Sequence, residues 1–306
     1  MTVFRGAFTA LVTPFTADGS AVDFDRLTCN IDYQAEGGVT GVVPCGTTGE
    51  SPTLSDDEHR AVVERTIQAA KSHSLLVIAG AGSNSTAHAV ALHRLAHQAG
   101  ADASLQVNPY YNRPSQEGLY RHFSTIADSC DLPVVLYNIP GRTGVALTPE
   151  TLQRLAEHPN IQAVKDATGG LATAGNTILH TNLAVLSGDD PLTLPLMSIG
   201  ALGVISVLSN IVPRPVAALC DTCLAGDWDL ARDLHYQLYP LATNLLKLDT
   251  NPVPIKTAMK LLGRDTGALR PPLCPPTEQI VDRLNNLLTS HDLSPDPSAA
   301  HQRSEV

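Results

Sequence analysis

The sequence is short of charge. Only 16% of its 306 residues are Asp, Glu, Lys or Arg, against about 25% in ordinary globular domains. The deficit falls mainly on cations: 30 acids oppose 20 bases, for a net charge of −10. Nucleic acid or an anionic membrane would want clustered Lys and Arg, so neither partner is expected. No apolar run approaches the roughly 20 residues of a membrane-spanning helix. The opening segment, MTVFRGAFTALVTPF, has no basic stretch leading into a long apolar one. It predicts no secretory signal and a cytoplasmic protein. Phosphate-binding fingerprints are missing too. Gly80-Ala-Gly82 continues as Ser-Asn-Ser, so Ser85 stands where G-x-G-x-x-G needs its third glycine, and no G-x-x-x-x-G-K-[ST] occurs. The six cysteines are Cys29, Cys45, Cys130, Cys220, Cys223 and Cys274. Without a secretory signal they read as reduced thiols. Cys220-x-x-Cys223 has no second pair and no histidine at ligand spacing, so buried structural cysteines are expected and no metal. Lysine is scarcest of the charged residues: only Lys71, Lys165, Lys247, Lys256 and Lys260.

What is present is apolar and periodic. Hydrophobic residues make up 43%, which excludes a mostly disordered chain. Eight short β-rich runs alternate with longer helical patterns: Ala7–Thr13, Gly41–Cys45, Leu75–Ala79, Ala103–Asn108, Val134–Asn138, Ala163–Asp166, Ala184–Gly188 and Gly203–Val207. Most are continuously apolar, as parallel strands buried on both faces are. Helix starts lie between them. Asp23, Ser85 and Ser115 are N-cap candidates, Ser55-Asp-Asp-Glu58 reads as a capping box, and Thr148-Pro149 puts proline at the first helical position. Eight strand–helix units predict an α/β fold, a (β/α)8 TIM barrel, over residues 1–225. A C-terminal helical extension follows over 226–292, with helices at Trp228–Leu248, Val253–Leu262 and Pro276–Leu288 separated by proline breaks. The polar, Pro/Ser-rich tail, 293–306, is expected to be disordered.

A TIM barrel carries its active site at the carboxyl ends of its strands. Lys165 is the only lysine in a strand-like run, at the end of the sixth. Two readings compete: a core lysine paired with a carboxylate, or an amine whose pKa is lowered by desolvation so that it attacks a carbonyl. Tyr137, one strand away, is either a core aromatic or a proton relay. Arg142 follows between glycines, and its planar fork suits a carboxylate, although most loop arginines are only solvated. Gly46-Thr-Thr-Gly-Glu50 leaves backbone amides open as a nest for a carboxylate or oxyanion. Asn108-Pro-Tyr-Tyr adds Tyr110 and Tyr111 near the fourth strand end.

Seven stretches now carry a resemblance: GTTGE at 46–50, NPYYNRPSQEGLY at 108–120, YNIPGRTG at 137–144, VKDATG at 164–169, SGDD at 187–190, GVISV at 203–207 and NPVPIK at 251–256. In this order they resemble the dihydrodipicolinate synthase / N-acetylneuraminate lyase family of Schiff-base aldolases, from about Phe4 to Leu288. The resemblance implies that Lys165 forms an imine with pyruvate and that the derived enamine attacks the aldehyde of aspartate 4-semialdehyde. It makes Tyr137, Thr47 and Tyr111 a proton relay, with Tyr111 crossing into a neighbouring subunit. Thr48 and the backbone of Ile205 fall on the pyruvate site, Arg142 on the acceptor's carboxylate, and Gly188 on the pocket wall. It implies no metal or organic cofactor, since the lysine itself is the electron sink. The implied assembly is a homo-oligomer, a tight dimer and from it a tetramer. Within the family, GTTGE, the tyrosine pair and Arg142 after Pro-Gly favour the synthase branch over sialic-acid lyases and sugar-acid aldolases.

The resemblance also marks a lysine-feedback site at Ser51, Pro52, His59, Asn84, His88 and Tyr110. His88 replaces the glutamate that regulated members usually carry there, and Asp56 stands where some carry histidine. An imidazole cannot replace a carboxylate as partner for an ammonium, so weak or no inhibition by lysine is expected.

Overall fold

The structure, a computed structural model, describes residues 4–295. Its eight parallel strands are β1 Gly6–Ala10, β2 Gly41–Val43, β3 Leu76–Gly80, β4 Ala103–Val107, β5 Val134–Asn138, β6 Ile161–Asp166, β7 Ala184–Ser187 and β8 Gly203–Ser206. They close in sequence order, β8 pairing back onto β1 with Phe8 opposite Ile205. Nearly every strand residue is buried, which explains why these segments read as continuous apolar runs rather than alternating ones. The eight predicted strands are the eight observed. Five end earlier than expected, β4, β7 and β8 by one residue and β1 and β2 by two or three because the chain leaves the sheet early. β1 stops at Ala10, and β2 stops at Val43 because Cys45 adopts a left-handed backbone, φ 55°, which no strand accommodates.

The surrounding helices are α1 Phe24–Glu36, α2 Asp56–Lys71, α3 Thr86–Ala99, α4 Gln116–Ala127, the single turn α5 Pro140–Thr143, α6 Pro149–Ala156, α7 Leu171–His180, α8 Thr193–Ser198 and α9 Pro213–Ala225. The local start signals form as read. Asp23 caps α1, Ser55 and Glu58 complete a reciprocal capping box on α2, and Ser85, Ser115 and Thr148 cap α3, α4 and α6.

Three further helices follow: α10 Trp228–Leu245, α11 Val253–Leu261 and α12 Glu278–Thr289. α10 packs on α9, while α11 packs on α12 and against the 3-10 turn Leu208–Asn210. Of the tail expected to be loose, residues 296–306 lie outside the described residues. Among the described residues no helix is long and apolar enough to cross a membrane, and no cluster of His, Cys, Asp or Glu is arranged to hold a metal ion. Cys220 and Cys223 are buried free thiols, and burial pushes both up from the ordinary thiol range.

Candidate active site

The sheet register brings the two central residues together. Tyr137 on β5 lies opposite Lys165 on β6 in a parallel ladder, and Asn138 lies opposite Asp166. Adjacent strands place successive partners on the same face, so Tyr137 and Lys165 share the barrel interior. The Lys165 Nζ stands 4.2 Å from the centre of the Tyr137 ring. Both residues are buried, with 5% and 6% exposure. An ammonium here has lost its water shell, and that desolvation lowers the lysine from 10.5 to about 8. The charges of Asp190 and Asp189 oppose the shift, and Arg142 reinforces it. The same burial raises the Tyr137 phenol to about 12, with Arg142 and a hydrogen bond to Thr47 pulling the other way. The phenol therefore stays protonated near neutrality and can donate as well as accept.

Each neighbour is fixed by a strand end or its following loop. Thr47 and Thr48 sit in the turn after β2. Thr48 is buried, and its Oγ1 accepts a hydrogen bond from Asn251 Nδ2 at 3.0 Å. Arg142 is exposed on α5, with its Nη2 3.2 Å from the Asn251 carbonyl. Asn108 and Asn138, at the ends of β4 and β5, hold that loop. Asn108 Nδ2 donates to Asn138 Oδ1 and to the Val145 carbonyl, and Asn138 clasps Leu147 through both backbone groups. Ile205 is fully buried on β8. Gly188 follows β7 and donates to the Asp166 carbonyl. A Cβ at position 188 would press 2.7 Å from Ala167 Cβ and 2.9 Å from Asp166 O, so the turn demands glycine on space alone.

Sequence reasoning passed over several residues that shape this site. Asp190 is buried, accepts from Ser206 Oγ at 2.5 Å and from the Val207 and Leu208 amides at 3.0 Å each, and faces the lysine electrostatically. Asp189 adds a second negative charge. Asn251 reaches in from the C-terminal extension. The paired aspartates in SGDD and the asparagine of NPVPIK were visible as motif letters. Nothing local in them reveals that they converge on Lys165 and Thr48.

A cavity of about 380 Å³ opens beside the pair. Thr47, Tyr137 and Arg142 line it together with Ser51, Pro52, His59, His88 and Tyr110. Five of the six positions marked for feedback thus share one space with three of the marked catalytic and binding residues. Ser51 and Pro52 form a 3-10 turn, and His59 is buried on α2 with Nε2 donating to the Gly80 carbonyl at 2.7 Å. Burial holds His59 below the usual histidine range. His88 on α3 lies 3.3 Å from Ser83 Oγ and 3.4 Å from Asp56 Oδ1. Asn84 spends its carbonyl on Asn112 Nδ2. Lys165, Thr48, Gly188 and Ile205 lie outside the cavity wall. Tyr111 is not brought to the lysine within one chain. It is 91% exposed, on a left-handed backbone with φ 73°.

A closed parallel barrel with a desolvated lysine and a neutral phenol in register at its carboxyl mouth defines a carbonyl-condensing, Schiff-base type of barrel enzyme. The chain belongs to the Dihydrodipicolinate synthetase family, which matches it over residues 3–291. It is 53% identical over 275 residues to a 4-hydroxy-tetrahydrodipicolinate synthase of Pelobacter propionicus, covering 89% of this chain and 93% of the relative. It is 48% identical over 290 residues to the synthase of the same name from Methanothrix thermoacetophila, covering 94% and 97%. A solved dihydrodipicolinate synthase from Acinetobacter baumannii, chloride inhibited and complexed with pyruvate, superposes with a TM-score of 0.92 at 42% identity, over 95% of this chain and all of that one.

Proposed function

We propose that this protein condenses pyruvate with L-aspartate 4-semialdehyde to give 4-hydroxy-tetrahydrodipicolinate, the committed step towards diaminopimelate and lysine. The observation that carries the reading is Lys165: a buried amine held near 8, against a protonated phenol in the same register. The neutral amine adds to the C2 carbonyl of pyruvate, and water leaves to give an iminium. Loss of a C3 proton makes the enamine. Its C3 attacks the aldehyde carbon of the semialdehyde, whose oxygen takes up a proton to become the hydroxyl. The acceptor's own amine then adds to C2, closes the ring and expels Lys165 as the free amine.

Tyr137, Thr47 and Tyr111 form the proton relay in this reading. Tyr137 passes protons to and from the carbinolamine oxygen, since the phenol is protonated and adjacent. Thr48 and the turn amides receive the pyruvate carboxylate, beside the backbone of Ile205 and Gly188. Arg142, exposed at the mouth, receives the carboxylate of the semialdehyde. The exposure of Tyr111 fits a role in a partner's site, and so a homo-oligomer: a tight dimer, and from it a tetramer. The setting is cytoplasmic. His88 puts an imidazole at the feedback position where a carboxylate would meet an ammonium, and it cannot replace one, so added lysine inhibits weakly. Half-inhibition below about a millimolar would contradict that.

A substrate panel tests the whole reading. Pyruvate with aspartate 4-semialdehyde supports turnover, while N-acetylneuraminate and 2-keto-3-deoxygluconate do not. Turnover of either sugar acid at a comparable kcat/KM would overturn the assignment.

A further inference from the structure

The turn that carries Thr47 and Thr48 is bracketed by two non-glycine residues in the left-handed region, Cys45 at φ 55° and Glu50 at φ 52°. Such residues cost energy and persist only where surrounding contacts over-determine them. At the Glu50 end the contacts are explicit. The Glu50 side chain is 1% exposed, and its Oε1 lies 2.7 Å from Lys256 Nζ, whose side chain is fully buried. Its Oε2 accepts from the Arg270 backbone N–H at 3.1 Å. Lys256 Nζ donates also to the Thr13 carbonyl at 3.0 Å and stands 4.2 Å over the Phe15 ring. Thr13 Oγ1 in turn donates to the Gly49 carbonyl at 2.7 Å. The Glu50 amide donates to the Thr47 carbonyl at 3.1 Å. One buried ammonium on α11 therefore holds the C-terminal end of the turn at two adjacent residues: Glu50 directly, and Gly49 through Thr13.

This ion pair has no contact with the lysine, the phenol or the cavity, so the chemistry leaves it unused. We propose that Lys256 and Glu50 are a positioning pair: α11 clamps the Thr47–Thr48 turn through them and so sets pyruvate affinity without touching pyruvate. Asn251, just ahead of α11, adds the bond to Thr48. The inference rests on the reading that Thr47 and Thr48 serve a Lys165–pyruvate imine.

A double-variant comparison tests it. Removing one member of a buried pair leaves the other charge uncompensated and destabilises. Removing both with isosteres is often neutral for stability. Lys256→Met and Glu50→Gln are made singly and together, with Glu50→Asp as a variant that keeps the charge, tolerates the left-handed backbone and withdraws the carboxylate. Pyruvate KM, aldehyde KM, kcat and Tm are measured on each folded variant. The pair as a positioning device predicts that K256M/E50Q recovers Tm to near wild type yet keeps pyruvate KM raised by about tenfold, with aldehyde KM within about twofold. Glu50→Asp shows the same KM pattern. A double variant, or Glu50→Asp, with wild-type pyruvate KM would overturn the proposal, as would pyruvate and aldehyde KM rising together. Borohydride trapping of the wild-type chain with pyruvate tests the underlying reading separately. Trapping that succeeds while the KM pattern fails removes only the positioning role.

Discussion

The lysine at 165 is tuned by burial more than by any single charge. Its amine must be neutral to attack a carbonyl, and desolvation lowers its pKa from 10.5 to about 8. The rate of imine formation with pyruvate should therefore rise about tenfold per pH unit below 8 and level off above it, as stopped-flow absorbance or quenched trapping would read. The sign for stability follows from the same shift. Between about 8 and 10.5 the unfolded chain still holds the proton that the folded lysine has released, so stability rises with pH across that window. The phenol of Tyr137 moves the other way, to about 12, and remains a donor throughout. Tyr137→Phe should lower kcat by about 10²–10⁴, the range of general acid–base contributions, while still allowing Lys165 to be trapped. Unchanged kcat in that variant would remove the relay role.

At the scale of elements, strand ends and their loops decide the site. The barrel closes through a glycine contact: a Cβ on Gly203 would run into the Gly6 backbone. Gly203→Ala should cost about 3 kcal/mol or more by overpacking, seen as a large fall in Tm or loss of soluble protein. Wild-type Tm would mean that the β1–β8 seam relaxes easily. The strands and most helix starts could be read from sequence because their causes are local. Parallel strands buried on both faces are apolar without alternation, and a capping serine sits three residues from the amide it satisfies. Lys256 could not be read that way. Its sequence neighbourhood, Val-Pro-Ile-Lys-Thr-Ala-Met-Lys, is a helix in which a lysine is ordinarily solvated. Its partner Glu50 lies 206 positions away, and no local pattern encodes a contact of that span. Asp190 and Asn251 are hidden for the same reason. Lys165 was legible because so few lysines competed and only one stood in a strand.

For the whole molecule, one chain assembles Lys165, Tyr137, Thr47, Thr48 and Arg142 around a single barrel mouth and leaves Tyr111 exposed on the rim. In the proposed relay this exposed tyrosine serves a second copy of the chain. Subunit exchange offers a direct check. Lys165→Ala and Tyr111→Phe chains are each impaired. Mixed under exchanging conditions, they form hybrid dimers in which one site has both the lysine and a partner's tyrosine. Activity should recover towards a quarter of wild type at equal mixing, since about half the dimers are hybrids with one complete site. No recovery, with exchange verified by mass, would mean that Tyr111 serves only its own chain.

The central claim is that Lys165 becomes covalently bonded to pyruvate. Borohydride reduction of the protein incubated with pyruvate, followed by intact-mass measurement and peptide mapping, reads that bond without any coupled assay. The account predicts an increase of one reduced pyruvate per chain, located on Lys165 and lost in Lys165→Ala. An unmodified chain, or an adduct mapped to Lys256 or another lysine, would contradict it.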